Sequence, residues 1–275
     1  MRCDWFIKLN SIGQLRYLDA SELIEGTEDG VTFRTVTIDT AVYLPFLLSK
    51  FLGSGGRVVR TRVQHIDQVL AGAFSAPPDA VFVCTGLGAR VLGGVEDKAV
   101  HPIRGQTVLI RAPWVKFGRT LSTKEGLWTY VIPRRSGDVI LGGAKEEDDW
   151  YPLPRPEMAE DILQRVFAIA PEIAPPESRE GGRKPTLEDV KGIIIEHGVG
   201  FRPGRTGGIR LESEWRTVPK QDKKVAIIHN YGYAFVSIAA SVCMLTFSTQ
   251  SRRPGIPIFM GFGIKSSRTS RRGLP

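Results

Sequence analysis

The spacing of apolar residues falls into two textures along the chain. In the first hundred residues, Val31 to Ile38 alternates in strand fashion. Asp39 or Thr40 then stands as an N-cap before an amphipathic helix whose apolar face is Leu44, Leu47, Leu48 and Phe51. The run Gly53-Ser54-Gly55-Gly56 ends that helix. Val58 to Val63 reads as a second strand. Ala80 to Cys84 reads as a buried one, closed by the tight turn Thr85-Gly86-Leu87-Gly88. Strand, helix, strand, strand is the order of part of an α/β layer.

From Arg104 onward the pattern becomes a succession of strands. They are Thr107 to Arg111, Leu127 to Pro133, Val139 to Gly143, Gly192 to Glu196, Ile209 to Glu212 and Val225 to Asn230. One helix interrupts them, about Pro156 to Ile169, before Pro171, Pro175 and Pro176 stop it. This half predicts an α+β region on an antiparallel or mixed sheet. No internal repeat or low-complexity segment breaks the pattern.

Composition narrows the function classes. The 275 residues are 42% apolar, enough for a real core. The formal charge of +8 belongs largely to the tail: Arg252, Arg253, Lys265, Arg268, Arg271 and Arg272 supply six of it, leaving +2 for residues 1 to 250. The body therefore lacks the patterned basic surface of a nucleic-acid binder. Cys3, Cys84 and Cys243 show neither zinc-ligand nor disulfide-framework spacing, which fits a reducing, intracellular compartment. The longest apolar run, about Tyr233 to Phe247, is shorter than the roughly 20 residues a membrane helix needs, and no membrane span is expected.

The polar chemistry is sparse and local. Gly86-Leu87-Gly88-Ala89-Arg90-Val91 follows a strand but has Val91 where a dinucleotide fingerprint needs its third glycine. It reads better as a strand-to-helix turn that lets backbone approach a bound cofactor. Tyr130 and Arg202 each sit at the end of an apolar strand. Taken singly, they are a half-buried tyrosine and a surface arginine paired with an acid. Together they are the side chains that grip a small carboxylate, a guanidinium bidentately and a hydroxyl without added charge. His65, His101, His197 and His229 are scattered and form no metal set. Lys145 to Asp149 is a solvated loop.

Motifs in one order change the weight of these residues. Val81–Gly86 (VFVCTG) is followed by 101–107 (HPIRGQT), 112–114 (APW), 130–134 (YVIPR), 141–143 (LGG) and 149–150 (DW). Then come 200–203 (GFRP), 210–212 (RLE) and 229–232 (HNYG). From about residue 30 to 232 this resembles the D-amino-acid oxidase and D-aspartate oxidase family of flavoenzymes. The resemblance implies a fold of α/β plus α+β type, an FAD-binding Rossmann-like domain interleaved with a mixed-sheet substrate domain. It divides the chain into 1–103 (FAD domain), 104–217 (substrate domain), 218–232 (return strand to the FAD domain) and 233–275 (aberrant tail).

By the same resemblance Arg202 binds the substrate carboxylate, with Tyr130 supporting it. Val63, Thr85, Gly86 and Gly232 lie against FAD. Where many yeast-type members carry a second tyrosine after Gly-Gly, this chain has Ala144 and Lys145. The implied reaction is oxidative deamination of a D-amino acid by oxygen to a 2-oxo acid, ammonia and peroxide. The implied setting is a peroxisome, otherwise the cytoplasm, with a homodimer allowed. The rival reading is a flavin-free, inactive remnant or binding module that keeps the carboxylate pocket.

Both ends depart from the family pattern. Residues 1 to 30 carry no Gly-x-Gly-x-x-Gly loop to seat a pyrophosphate on a helix N-terminus, so an N-terminal βαβ unit is expected to be missing. After Gly232 the family's His-x-Gly-x-Gly-Tyr-Gln-x-Ser-Trp-Gly does not follow. Codons for Gly232-Tyr233-Ala234 can hold an intron donor, Met244-Leu245-Thr246 a branch sequence and Gln250 an acceptor. Ser251 to Ile264 read one nucleotide along restores that motif, with the tryptophan forced by Met260-Gly261. Residues 233 to 250 are thus expected to translate a retained intron and 251 to 275 to be out of frame. Sequencing the spliced transcript across the Gly232 codon should show the excision; codons incompatible with the shifted frame would refute it.

Overall fold

The computed structural model describes residues 15–219, 221–234 and 258–260. In chain order the elements begin with β1 (Arg16–Tyr17), β2 (Val31–Thr32), α1 (Thr40–Gly53), α2 (Ile66–Leu70), β3 (Ala80–Val83) and β4 (Val100–Arg111). They continue with β5 (Arg119–Ser122), β6 (Trp128–Pro133), β7 (Asp138–Gly142), β8 (Glu146–Glu147), α3 (Pro156–Ile169) and α4 (Leu187–Lys191). The last four are β9 (Ile194–Arg205), β10 (Arg210–Thr217), β11 (Lys224–Tyr231) and β12 (Ile258–Met260). The chain forms two compact units interleaved in sequence. Of the described residues, one unit takes those within Met1–Gly56, Gln106–Ala144 and Leu153–Gly198, and the other those within Arg57–Gly105, Lys145–Pro152 and Val199–Pro275. The α/β plus α+β character read from the sequence is the character of the fold.

In the first unit β5, β6, β7 and the second half of β4 form an antiparallel run, with Thr107 to Arg111 opposite Gly142 to Asp138. Alternation along these strands buries Val108, Ile110, Val131, Val139 and Leu141 on one face. That face is covered by α3, whose Ala159, Ile162, Leu163, Val166 and Ile169 recur at helical spacing and are all buried. Pro156 opens α3 at its first helical position, where a missing N–H costs nothing. The Gln106 side chain holds that entry in place: its amide donates to the Arg155 carbonyl at 2.7 Å and accepts from the Arg155 N–H at 2.9 Å.

In the second unit the sheet order is β10, β11, β3, β12. β3 runs parallel to both neighbours and β10 antiparallel to β11. Val81, Val83, Val225, Ile227 and Tyr231 face a separate core with Ile66, Val69 and Leu70 of α2 and with Ala89 and Leu92. The short strand β8 lies in the Lys145–Asp149 run expected to be a solvated loop, and it pairs instead with Ile103 and Arg104 of β4. The Arg104 side chain is fully buried; it donates to Glu146 Oε2 at 2.6 Å and to the Tyr151 carbonyl at 2.8 Å. A guanidinium removed from water needs such partners, because an unpaired buried charge is strongly destabilising.

Three local expectations are corrected. Val31 to Ile38 is strand only at Val31 and Thr32, which pair with Tyr17 and Arg16. Residues 58 to 63 form no strand. Val58 and Val59 are exposed, and no described strand pairs with the segment, so β-propensity there has no ladder to join. In α1, Asp39 does cap, accepting from the Ala41 N–H at 3.2 Å, but no residue of the helix is buried. Leu47 and Phe51 are half-buried, while Leu44 and Leu48 of the expected apolar face are exposed.

The Arg104 pair gives a stability test. Glu146→Gln should lower unfolding free energy by about 3 kcal/mol, read as a shift of the urea midpoint at constant m-value. An unmoved midpoint would mean the guanidinium does not depend on that carboxylate.

Candidate functional site

Arg202 lies half-buried in β9, which pairs with β4. Its guanidinium rests on the backbone of Gly105. A Cβ built there would stand 2.6 Å from Nη1 and 2.9 Å from both Cζ and Nη2. Two residues on, Gly204 seats His101 in the same manner, its Cβ position 2.6 Å from Nε2. The next residue along, Arg205, turns to Asp97: Nε donates to Oδ2 at 2.8 Å, and the Tyr231 hydroxyl donates to the same oxygen at 3.0 Å. Arg210 Nη1 donates to the Tyr231 hydroxyl at 2.7 Å, and the Ala99 N–H to Asp97 Oδ1 at 3.1 Å. Burial works against the Asp97 charge, but the bonds from Arg205, Tyr231 and Ala99 outweigh it and hold the carboxyl below the usual aspartate range.

The end of β3 carries the residues expected at a cofactor. Thr85 follows Cys84, and Gly86 takes a φ of +53°, a conformation that favours glycine, as the chain turns into a 3-10 helix over Gly86–Arg90. The Thr85 Oγ1 is buried without a hydrogen-bond partner. Gly86 approaches Pro203, its Cβ position 3.6 Å from the proline Cβ, so this turn and the Arg202 strand belong to one neighbourhood of the unit. Burial raises the pKa of the Cys84 thiol; its sulfur accepts from Asn230 Nδ2 at 3.7 Å, and Asn230 Oδ1 accepts from the Tyr233 hydroxyl at 2.5 Å. Gly232 has a φ of +90° and closes β11 against Arg205. Val63 packs on the core of this unit from a coil segment.

Tyr130 belongs to the other unit, in β6 opposite Gly142 of β7. Its ring lies over the Gly142-Gly143 backbone, with the hydroxyl 2.5 Å from a Cβ position at Gly142 and 2.9 Å from one at Gly143. Arg165 of α3 fixes this strand end. It donates through Nη2 to the Gly143 carbonyl at 3.0 Å, through Nη1 to Thr129 Oγ1 at 2.6 Å, and through Nη2 to Asp161 Oδ2 at 2.7 Å. A cleft of about 360 Å³ in the same unit, lined by Pro154, Arg155, Ala159, Leu163 and Lys191, contains none of the expected site residues.

Sequence reading missed Asp97, Arg165 and Gly105. Asp97 and Arg165 are single polar residues in otherwise ordinary contexts. Gly105 had a signal, a glycine between arginine and glutamine inside a buried strand. Among the described residues no three or more His, Cys, Asp or Glu side chains could hold a metal ion, and no helix is long and apolar enough to cross a membrane. The departures expected in residues 235–257 and 261–275 lie outside the described residues.

Comparison with known proteins places the chain in a class of FAD-dependent oxidoreductase. Residues 6–238 match the family described as FAD dependent oxidoreductase (DAO), and the chain belongs to that family. It is 37% identical over 246 residues to a D-aspartate oxidase of Cryptococcus neoformans var. grubii, covering 78% of this chain and 61% of that protein. It is 35% identical over 235 residues to a D-amino-acid oxidase of Fusarium vanettenii, covering 84% and 60%. A D-amino-acid oxidase of Schizosaccharomyces pombe is 35% identical over 225 residues, at 82% and 60% coverage. The chain thus spans about 60% of the length of these relatives. FAD is the family's cofactor, and the residues at the end of β3 fit such a group: a buried hydroxyl awaits a partner and a glycine lets backbone approach.

His229 supplies a pH test. It is buried opposite Val83, with Nδ1 unpartnered and Nε2 a long 3.5 Å from Glu214 Oε1. Burial, then the Arg210 charge, lowers its pKa below 6.5 despite Glu214. The unfolded chain therefore binds the proton more readily. The stability tied to His229 is complete above 6.5 and is lost as pH falls through the lower folded-state value. Melting temperature measured from about pH 7.5 to 5 should fall in wild type and be flatter in His229→Phe; parallel curves would remove His229 as the cause.

Proposed function

We propose that this chain carries the substrate-binding and part of the flavin-binding apparatus of an oxidase that deaminates a D-amino acid. The products are a 2-oxo acid, ammonia and hydrogen peroxide. The observation that carries the reading is the pairing, within one unit, of a half-buried arginine in the Gly200-Phe201-Arg202-Pro203 string with the orphaned Thr85 hydroxyl. The family membership and the names of its relatives support it.

Arg202 holds the substrate carboxylate, since a guanidinium fork matches two carboxylate oxygens and its charge survives partial burial. Tyr130 keeps the supporting role that the resemblance gives it. Fixing that end of the substrate orients the Cα–H bond, and orientation is where the protein contributes most to such a reaction. Thr85, Gly86, Gly232 and Val63 are the residues that would hold FAD, which when bound accepts hydride and passes the electrons to oxygen. No side chain has to act as a strong base if the amine arrives neutral; hydrolysis of the released imine gives the 2-oxo acid and ammonia. A protein making peroxide suits a peroxisome, and that location, like a homodimeric state, is part of the proposal.

Two variants and a colour test the reading. The purified protein should be yellow and show flavin absorbance. Thr85→Val should retain less flavin through gel filtration while melting no lower without flavin, since it removes an unanswered buried hydroxyl worth about 1 kcal/mol or more. Arg202→Ala should raise KM on the order of tenfold or more with flavin content unchanged. Colourless protein would favour the flavin-free binding module, and unaltered kinetics would reject the role of Arg202.

A further inference from the structure

We propose that Gly105 is a positioning residue for Arg202. The bare backbone at 105 is the seat on which the guanidinium lies, and the missing side chain sets how its N–H groups are presented to a carboxylate. The inference rests on the reading of Arg202 as the carboxylate-binding side chain.

Glycine at this position has no conformational excuse. It lies in the interior of β4, and its φ is not in the left-handed region that glycine alone adopts freely. A strand-interior glycine forfeits packing and backbone entropy, and this one lies between two fully buried residues, Arg104 and Gln106. What occupies the space instead is the guanidinium. The three atoms nearest a Cβ at 105 are Nη1, Cζ and Nη2 of Arg202, all within 2.9 Å, with none from the aliphatic stem among them. Three guanidinium atoms that close to one point, with Nη1 the nearest, seat the Nη1–Nη2 end of the group on the strand. A methyl at 105 would claim the same volume. Because the obstacle is the far end of a flexible side chain, the fold could absorb the methyl by swinging the guanidinium aside.

The other expected substrate residue is seated in the same way within its own unit, where the Tyr130 ring covers Gly142 and Gly143. Gly118 offers the contrast: a Cβ there would meet only the Val131 carbonyl oxygen, at an ordinary 3.6 Å.

The test uses the full chain and propionate as an unreactive carboxylate, with Kd from calorimetry and KM and kcat wherever turnover is present. Gly105→Ala should weaken propionate on the order of tenfold and raise KM with little change in kcat. Its melting temperature should stay near wild type. Gly118→Ala should leave Kd unchanged. In an Arg202→Ala background the same Gly105→Ala change should have no further effect on Kd, because the methyl then meets empty space. Unchanged Kd in Gly105→Ala, or an equal additional loss in the double variant, would overturn the proposal. Unchanged Kd in Arg202→Ala alone would instead remove the reading of Arg202 on which it rests, a result that Gly105→Ala by itself cannot mimic.

Discussion

Polar groups taken out of water inside a β-strand have to be answered within hydrogen-bonding reach, and two residues of β4, one on each side of a glycine, impose that demand. Arg104 is fully buried and is met by Glu146 and by the Tyr151 carbonyl, which draws the 145–152 segment into the second unit despite its place between two stretches of the first. Gln106 is fully buried and is met by both backbone groups of Arg155, which fixes where α3 begins. Between them Gly105 offers no side chain and accepts the Arg202 guanidinium on its backbone. One short string thus sets a strap, a helix start and the seat of a candidate ligand-binding cation.

The second unit separates its charges by task. Arg205 and Arg210 converge on Asp97 and the Tyr231 hydroxyl, a closed network that ties the ends of β9, β10 and β11 to the segment before β4. These arginines are committed to holding the sheet. Thr85 is the reverse case, a buried hydroxyl with nothing to bond, and such a group is tolerated where a ligand completes it. His229 Nδ1 in the same sheet is also unpartnered, so what sets Thr85 apart is the proposed flavin contact and not the missing bond alone.

Much of this was legible from residue pattern. The α3 boundaries followed from Pro156 at one end and Pro171 beyond the other. The strands β6, β7 and β11 followed from alternation flanked by turn residues. What failed was strand propensity without a partner: residues 58 to 63 have the composition of a strand, yet a strand exists only as a pairing, and pairing is not a local property. The apolar face of α1 was misassigned for a related reason, since a helix apolar on most sides gives no pattern by which to choose the side that packs. At the site, Arg202 and Tyr130 stood out through their motifs. Asp97, Arg165 and the seat at Gly105 did not, because their roles come from residues 22 to 108 positions away.

The seat at Gly105 also bears on inherited variation. Any change in the first or second base of a glycine codon yields a residue with a Cβ or a stop. Every missense change at this codon therefore places an atom where the guanidinium, its nearest neighbour, lies. On the proposed reading, an alanine allele would leave a protein that is made, folds and accumulates at normal levels, with its defect confined to the substrate concentration at which it works.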